Sequence, residues 1–461
     1  MEENTLKNPL GHAPVGKLMV KFAVPSIVAM LVSALYNIVD QLFIGQAVGT
    51  NGNAATNIAF PLSTSCVALA LLFGIGGASS FNLAMGRKEP DKAAHYVGNS
   101  VVLLVGSGLI LTLITQIFLT PMLRFFGSPD DILEYAKTYV RITSFGFPFL
   151  ILTTGGGHLI RADGNPKMTM ICNLSGAIIN TILDAVFVIG LDWGMAGAAY
   201  ATIIGQIFSG CLVINYMRNY KTVKVKREQF RIRMEYAGRI ISLGTASFFN
   251  QIAMMVVQIV LNNSLKHYGS LSVYGEAIPL ACVGIISKVN MVFFSIIIGI
   301  AQGTQPIEGF NYGAAKYKRV KEAYRLATIV GGVIAVIFFL LFQLAPREII
   351  RLFGKGDENY YQFGISYFRV FLLFTVLNFL QPITSTFFTS IGKPYKGIFL
   401  ALTRQILFLL PLIILLPMKM GIDGILYSGP IADLLAAIIT VIMVVSEFKN
   451  MKRLEQGLQK Q

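Results

Sequence analysis

Apolar stretches of about twenty residues, each long enough to carry a helix across the hydrocarbon of a bilayer, recur along this whole chain. Only 13% of the 461 residues are charged and 54% are hydrophobic, against about 25% charged in a soluble domain. The chain therefore reads as an all-α integral membrane protein. Twelve spans can be drawn, at 21–45, 54–82, 97–120, 139–160, 168–190, 195–216, 240–264, 276–305, 324–345, 368–390, 397–417 and 422–446. No connection between them is long enough to be a soluble domain. The first twenty residues are polar and lack a small-residue cleavage site, so the first span is expected to be retained.

The formal net charge of +15 raises a polyanionic partner, and its distribution argues against nucleic acid. With both termini cytoplasmic, 28 Lys and Arg fall on the cytoplasmic side and nine on the other (Arg124, Lys137, Arg141, Lys266, Arg347, Arg351, Lys355, Arg369 and Lys419), with Lys288 inside span eight. That bias orients a multi-pass protein of the cell membrane. The longest basic connection, Arg218 to Arg239, holds Lys221, Lys224, Lys226, Arg227, Arg231 and Arg233.

The two halves repeat at an offset of about 227 residues. Leu123-Arg-Phe-Phe-Gly-Ser-Pro-Asp-Asp131 matches Ile350-Arg-Leu-Phe-Gly-Lys-Gly-Asp-Glu358, and Tyr139-Val-Arg-Ile142 matches Tyr367-Phe-Arg-Val370. Gly164-Asn-Pro166 matches Gly392-Lys-Pro394, and Gly194-Met-Ala-Gly197 matches Gly421-Ile-Asp-Gly424. Six spans per half is an even number, so both halves enter the membrane the same way and are related by a pseudo-two-fold along its normal. The expected organisation is an N-terminal segment 1–20, an N-lobe 21–217, a basic linker 218–239, a C-lobe 240–446 and a tail 447–461. In transporters with such repeats the substrate site lies between the halves, and rocking two lobes against each other gives alternating access.

An ionisable side chain at mid-bilayer costs about 2.5–3.5 kcal/mol on insertion scales, so each one needs a partner, a cavity or a task. Asp40 lies in span one, on the same helix face as Ser33 and Asn37. Asp184 lies in span five, on one stripe with Asn180 and Asn173, and span six offers Thr202 and Gln206. Carboxylates, amide carbonyls and hydroxyls suit a hard cation such as sodium, and two neighbouring carboxylates also share a proton readily. Asp40, Asn180, Asp184 and Thr202 are the expected cation-binding and coupling residues. The alternative is a polar network that only ties helices together. The second half has Phe408, Leu412 and Gly429 opposite Asn180, Asp184 and Thr202, so the duplication kept this site in one lobe.

Asn37, Asn173, Gln206 and Lys288 are candidate cavity-lining residues, with Glu276 or Asp433 as acids that Lys288 could face. Pro25, inside span one, frees a carbonyl and permits a bend. Glu308, Arg404 and Asp423 are expected near helix ends at the interface. The four cysteines read as small buried hydrophobes. Gly76-Gly77 and Gly155-Gly-Gly157 are expected to let helices approach closely. The connections hold no clustered His, Asp or Cys motif, which argues against an enzyme.

These features resemble the multidrug and toxic compound extrusion (MATE) family, in particular its MepA-like bacterial branch. The likeness covers essentially the whole chain. It rests on the six-plus-six repeat, Pro25 and Asp40, Ala162-Asp-Gly-Asn-Pro166, Asn180 and Asp184, Gly194 to Gly197, and Gln302-Gly-Thr-Gln-Pro306 through Gly313. The resemblance implies two six-helix lobes in a V that export cationic or amphipathic small molecules in exchange for Na+ or H+, without another cofactor. It implies a cation site at Asp40, Asn180, Asp184 and Thr202 and bending of helix one at Pro25; function as a monomer is expected. The acidic site that another branch carries in helices seven and ten is not expected: Gln258 stands in span seven and 368–390 holds no carboxylate. A lipid-linked precursor flippase of the same superfamily is the alternative.

Overall fold

The computed structural model describes residues 8–353 and 357–458, which are helical with no strand among them. Lys7, Lys355 and Lys460 of the charge tally, and residues 354–356 of one repeat match, lie outside the described residues. The first bundle holds α1 (Val15–Ala47), α2 (Thr50–Gly86), α3 (Pro90–Ile117), α4 (Asp130–Thr143 and Phe147–Ala162), α5 (Pro166–Gly190) and α6 (Gly194–Arg218). The second holds α7 (Met234–Ser270), α8 (Ala277–Gly313), α9 (Tyr317–Leu344), α10 (Glu358–Ser390), α11 (Pro394–Met420) and α12 (Ile422–Leu458). Eleven of the twelve are long and apolar enough to cross a membrane, although α10 is itself interrupted between Leu372 and Phe379 by turns around the 3-10 segment Thr375–Leu377.

The exception is α4, expected as one span over 139–160. It breaks at a 3-10 turn, Ser144–Gly146, because Pro148 has no N–H for the carbonyl of Ser144 four residues back. In lipid that carbonyl must find another donor. The amide of Phe147 closes the turn onto it and Thr112 Oγ1 of α3 adds a second donor at 2.6 Å, while Gln116 Nε2 donates to the Arg141 carbonyl and to Ser144 Oγ, both at 2.7 Å. Three further helices widen into π-helical turns: α5 at Ala185–Gly190, α10 at Tyr367–Phe371 and α11 at Thr403–Leu409. Such turns are rare and are frequent at functional sites.

Contacts between the bundles concentrate in residues 22–30 of α1 and 72–86 of α2, against 240–244 of α7 and 299–314 of α8. Small residues make the approach close. A Cβ on Gly76 would strike the Ile240 carbonyl, and one on Gly244 the carbonyl of Leu72. These stretches are the first halves of α1 and α7 and the last halves of α2 and α8, so all lie at one end of the molecule. The lobes are joined at that end and stand as a V. At the joined end Asp163, in the loop after α4, accepts from Tyr216 Oη (2.7 Å), the amides of Lys221 and Thr222 (both 2.8 Å) and Thr222 Oγ1 (2.5 Å), which staples the loop to the linker.

Several expectations are corrected. Arg404 and Glu308 are not interfacial. Arg404 Nε lies 2.6 Å from Asp433 Oδ1 within the second lobe, and Glu308 is 1% exposed. Arg161, counted among loop cations, is buried and bonds His158 Nδ1 at 2.9 Å. Setting Arg161 and Arg404 aside leaves 26 basic residues against nine, still strongly biased. Asp423 is exposed, as expected for a helix end. Cys66, Cys172 and Cys282 are buried, but Cys211 is exposed.

Candidate cation site in the first lobe

Two glycines bring α5 and α6 together. A Cβ on Gly176 would strike Ser209 Oγ, and one on Gly205 would lie 2.7 Å from the carbonyl of Gly176 and 3.1 Å from Asn180 Cβ. At this approach Asn180 Nδ2 donates to Thr202 Oγ1 at 3.4 Å. Asp184 follows one turn along α5, at the last residue before the π-helical turn. α1 packs against α5 and α6 and brings Asp40 to the same place.

The carboxyl groups of Asp40 and Asp184 face each other within hydrogen-bonding range. They are 9% and 0% exposed, and Asn180 is 2% exposed. Neither acid has a basic partner among the described residues. Asp40 Oδ1, both oxygens of Asp184 and the Asn180 carbonyl are buried without a donor. Two unit charges 4 Å apart repel by about 4 kcal/mol at an effective dielectric of about 20. One bound positive charge relieves that repulsion and fills the vacant acceptors. The chemistry of this donor set fits sodium or a proton.

Two tyrosines complete the cluster. The phenols of Tyr36 and Tyr139 converge on the Thr202 hydroxyl and lie in the field of both carboxylates. Neither was singled out from the sequence. Tyr36 is four residues before Asp40 and shares its face, a signal that was present. Tyr139 matches Tyr367 in the second half, so comparing the halves for what only one retains passes over it.

The remaining candidates stand apart. Asn37 is exposed and donates to the Ser33 carbonyl of its own helix at 2.7 Å. Asn173 is half-buried, two turns from Asn180. Gln206 Oε1 is buried without a donor and sits where a Cβ on Gly146 would be, at the break in α4. Lys288 is exposed, and neither expected acid pairs with it. Asp433 holds Arg404, and Glu276 lies 4.0 Å from Lys266. Pro25 is buried ten residues into α1, not in its first turn, and leaves the Lys21 carbonyl without its usual donor. It lies between the contacts of Ala23 and Ile27 with Gly303 and Gly299 of α8.

A family model described as MatE matches residues 25–186 and 246–415. The multidrug export protein MepA of Staphylococcus aureus (strain MSSA476) is 25% identical over 433 residues, 94% of each chain. MepA of Staphylococcus haemolyticus (strain JCSC1435) is 25% identical over 437 residues, again 94% of each. Among solved structures, the outward-facing conformation of a multidrug resistance MATE family transporter of the MOP superfamily superposes with a TM-score of 0.89 at 22% identity, over 96% of this chain and 98% of that one. The same values hold for a MOP superfamily transporter from Pyrococcus furiosus, for which reverse polarity of the binding pocket suggests a different function. At this identity the superpositions establish a shared fold.

Proposed function

The chain belongs to the MatE family, and on that premise we propose that it is a secondary active multidrug exporter of the cell membrane, exchanging cationic or amphipathic small molecules for sodium or protons. The observation that carries this reading is the pair of facing, buried carboxylates without a basic partner. Asp40, Asp184, Asn180 and Thr202 are assigned as the coupling-ion site, with Tyr36 and Tyr139 as its outer wall. A cation entering from the open end of the V neutralises the pair. Its release needs access from the other side, so the lobes 21–217 and 240–446 exchange which end is joined. Both termini are placed in the cytoplasm by the charge bias, which makes the joined end cytoplasmic and the V outward-facing. Pro25, at the contact of α1 with α8, is the assigned point of bending.

The relatives named MepA support export of drugs, and the exchange site supports ion coupling. The flippase alternative calls for a free cationic cavity for a pyrophosphate, and the guanidinium of Arg404 is instead matched by Asp433. Proteoliposomes holding the chain are expected to extrude an ethidium-like cation down an imposed sodium or proton gradient. Asp40→Asn is expected to abolish this while leaving expression intact. Full gradient-driven transport by that variant would remove Asp40 from the mechanism. Efflux with sodium varied at fixed pH identifies the coupling ion.

A further inference from the structure

Six acids are buried among the described residues: Asp40, Asp163, Asp184, Glu308, Asp433 and Glu447. Asp163 accepts from four donors, Asp433 is matched by Arg404, and Glu447 by Lys393 and Lys396. Asp40 and Asp184 form the exchange site. Glu308 alone is left, with no basic partner and a single donor, Ser390 Oγ at 2.8 Å from Oε2. Its Oε1 is buried without a partner.

Glu308 stands in the joined half of α8, two residues after Pro306. A Cβ on the neighbouring Gly309 would lie 3.0 Å from Asn82 Cβ of α2 and 3.1 Å from the Ser390 carbonyl of α10. The acid therefore sits where one lobe's α2 meets the other lobe's α8 and α10. Asn82 is 1% exposed and neither polar atom of its amide has a partner. Unsatisfied polar side chains buried in one closed interface are costly unless a missing proton or water completes them.

The groups that face this point are otherwise engaged. Tyr324 of α9 hydrogen-bonds Thr384 Oγ1 at 2.7 Å. Arg319 of α9 is held by Asn311 and the carbonyls of Leu10 and Ala13, and Arg239 of α7 by the Gly392 carbonyl. From α4, His158 bonds Arg161 and reaches Gln305, one turn before Glu308. Lys393 and Lys396 are taken by Glu447 of α12, while Arg87 at the end of α2 and Lys21 of α1 are exposed.

We propose that Glu308 is a second proton-binding site, filled when the lobes close around it and emptied when they part. In the closed seam a proton on Oε1 removes the charge from a carboxylate that has no basic partner and only one donor. When the lobes part, water reaches the acid; the proton passes to that water and a hydrated carboxylate remains. Re-closure takes a proton back from the same side. Nothing is carried across by this cycle, but closing the seam becomes dependent on the acidity of the face it opens to. The inference rests on the alternating-access reading, and not on the assignment of Asp40 and Asp184.

The test is the distance between spin labels on Lys88→Cys and Tyr395→Cys, exposed on either lobe at the joined end. It is measured by pulsed electron resonance in full-length protein carrying Cys211→Ser. In the parent the closed-to-open ratio is expected to fall about tenfold per pH unit once the acid ionises, the slope of a single linked proton. Glu308→Gln, which keeps an acceptor for Ser390 and has nothing to titrate, should lose the pH shift. Glu308→Asp should restore one, which a purely structural role for the side chain would not predict, and Asp40→Asn should retain it. A shift of equal size in the parent and in Glu308→Gln overturns the proposal and leaves alternating access standing. A single distance at every pH, with and without an ethidium-like substrate, removes the alternating-access reading and the proposal with it.

Discussion

A threonine hydroxyl has one proton to donate and two lone pairs to receive with, and Thr202 accepts from Asn180 Nδ2 with the phenols of Tyr36 and Tyr139 close by. Thr202→Val keeps the volume and removes the hydroxyl. Loss of one hydrogen-bonding centre beside a charged ligand is worth about 1.5–3 kcal/mol, so half-saturation of transport by the coupling ion should rise by about tenfold or more. Efflux measured against ion concentration checks this, and an unchanged half-saturation would place Thr202 outside the ion's reach. Asp40, Asn180, Asp184 and Thr202 were legible as a set because oxygen-bearing side chains stand out at helical spacing in an apolar span. The tyrosines were not, since an aromatic ring in such a span reads equally well as packing.

At the level of the helix, α4 shows how a break survives in lipid. Pro148 is plain in the sequence, but the carbonyl it cannot reach takes, besides the Phe147 amide, the hydroxyl of Thr112, 36 residues before the proline on another helix. Thr112→Val would leave the Ser144 carbonyl with the Phe147 amide alone, and loss of one net hydrogen bond costs about 0.5–1.5 kcal/mol. The purified variant should therefore unfold at a lower temperature than the parent. An unchanged midpoint would mean that water or a shifted Gln116 takes over. The span over 139–160 was legible from hydropathy; its division was not, because a proline alone does not say whether a helix kinks, breaks or continues. α1 makes the contrast: Pro25 sits within one unbroken 33-residue helix, with Ser26 Oγ on the Phe22 carbonyl at 2.8 Å.

For the molecule as a whole, the joined end depends on backbone touching backbone. Gly244 lies so close to the Leu72 carbonyl that a methyl group there forces the lobes apart. Overpacking of this kind costs about 1–3 kcal/mol, which would lower the closed-to-open ratio by between about fivefold and about 150-fold. Gly244→Ala should slow exchange by a comparable factor. Apolar packing runs across the seam, with Ile240, Ile307 and Phe310 in one core beside first-lobe residues and Met19 and Ala23 in another beside second-lobe ones, so the thermal midpoint should fall as well. Full exchange by this variant would show that the seam need not close so tightly.

Hydropathy, charge bias and the internal repeat determined by themselves that this chain spans a membrane twelve times in two related bundles, because the bilayer constrains length and polarity residue by residue. They also marked the acids of the first lobe, since a charge in lipid is conspicuous wherever it falls. Partnership was decided only in three dimensions. Whether Glu308, Arg404 or Asp433 is matched or alone depends on which helices lie within a few ångströms of one another. Side-chain spacing along one helix carries no information about its neighbour, and the glycines that set the approach become informative only once the backbone they face is known.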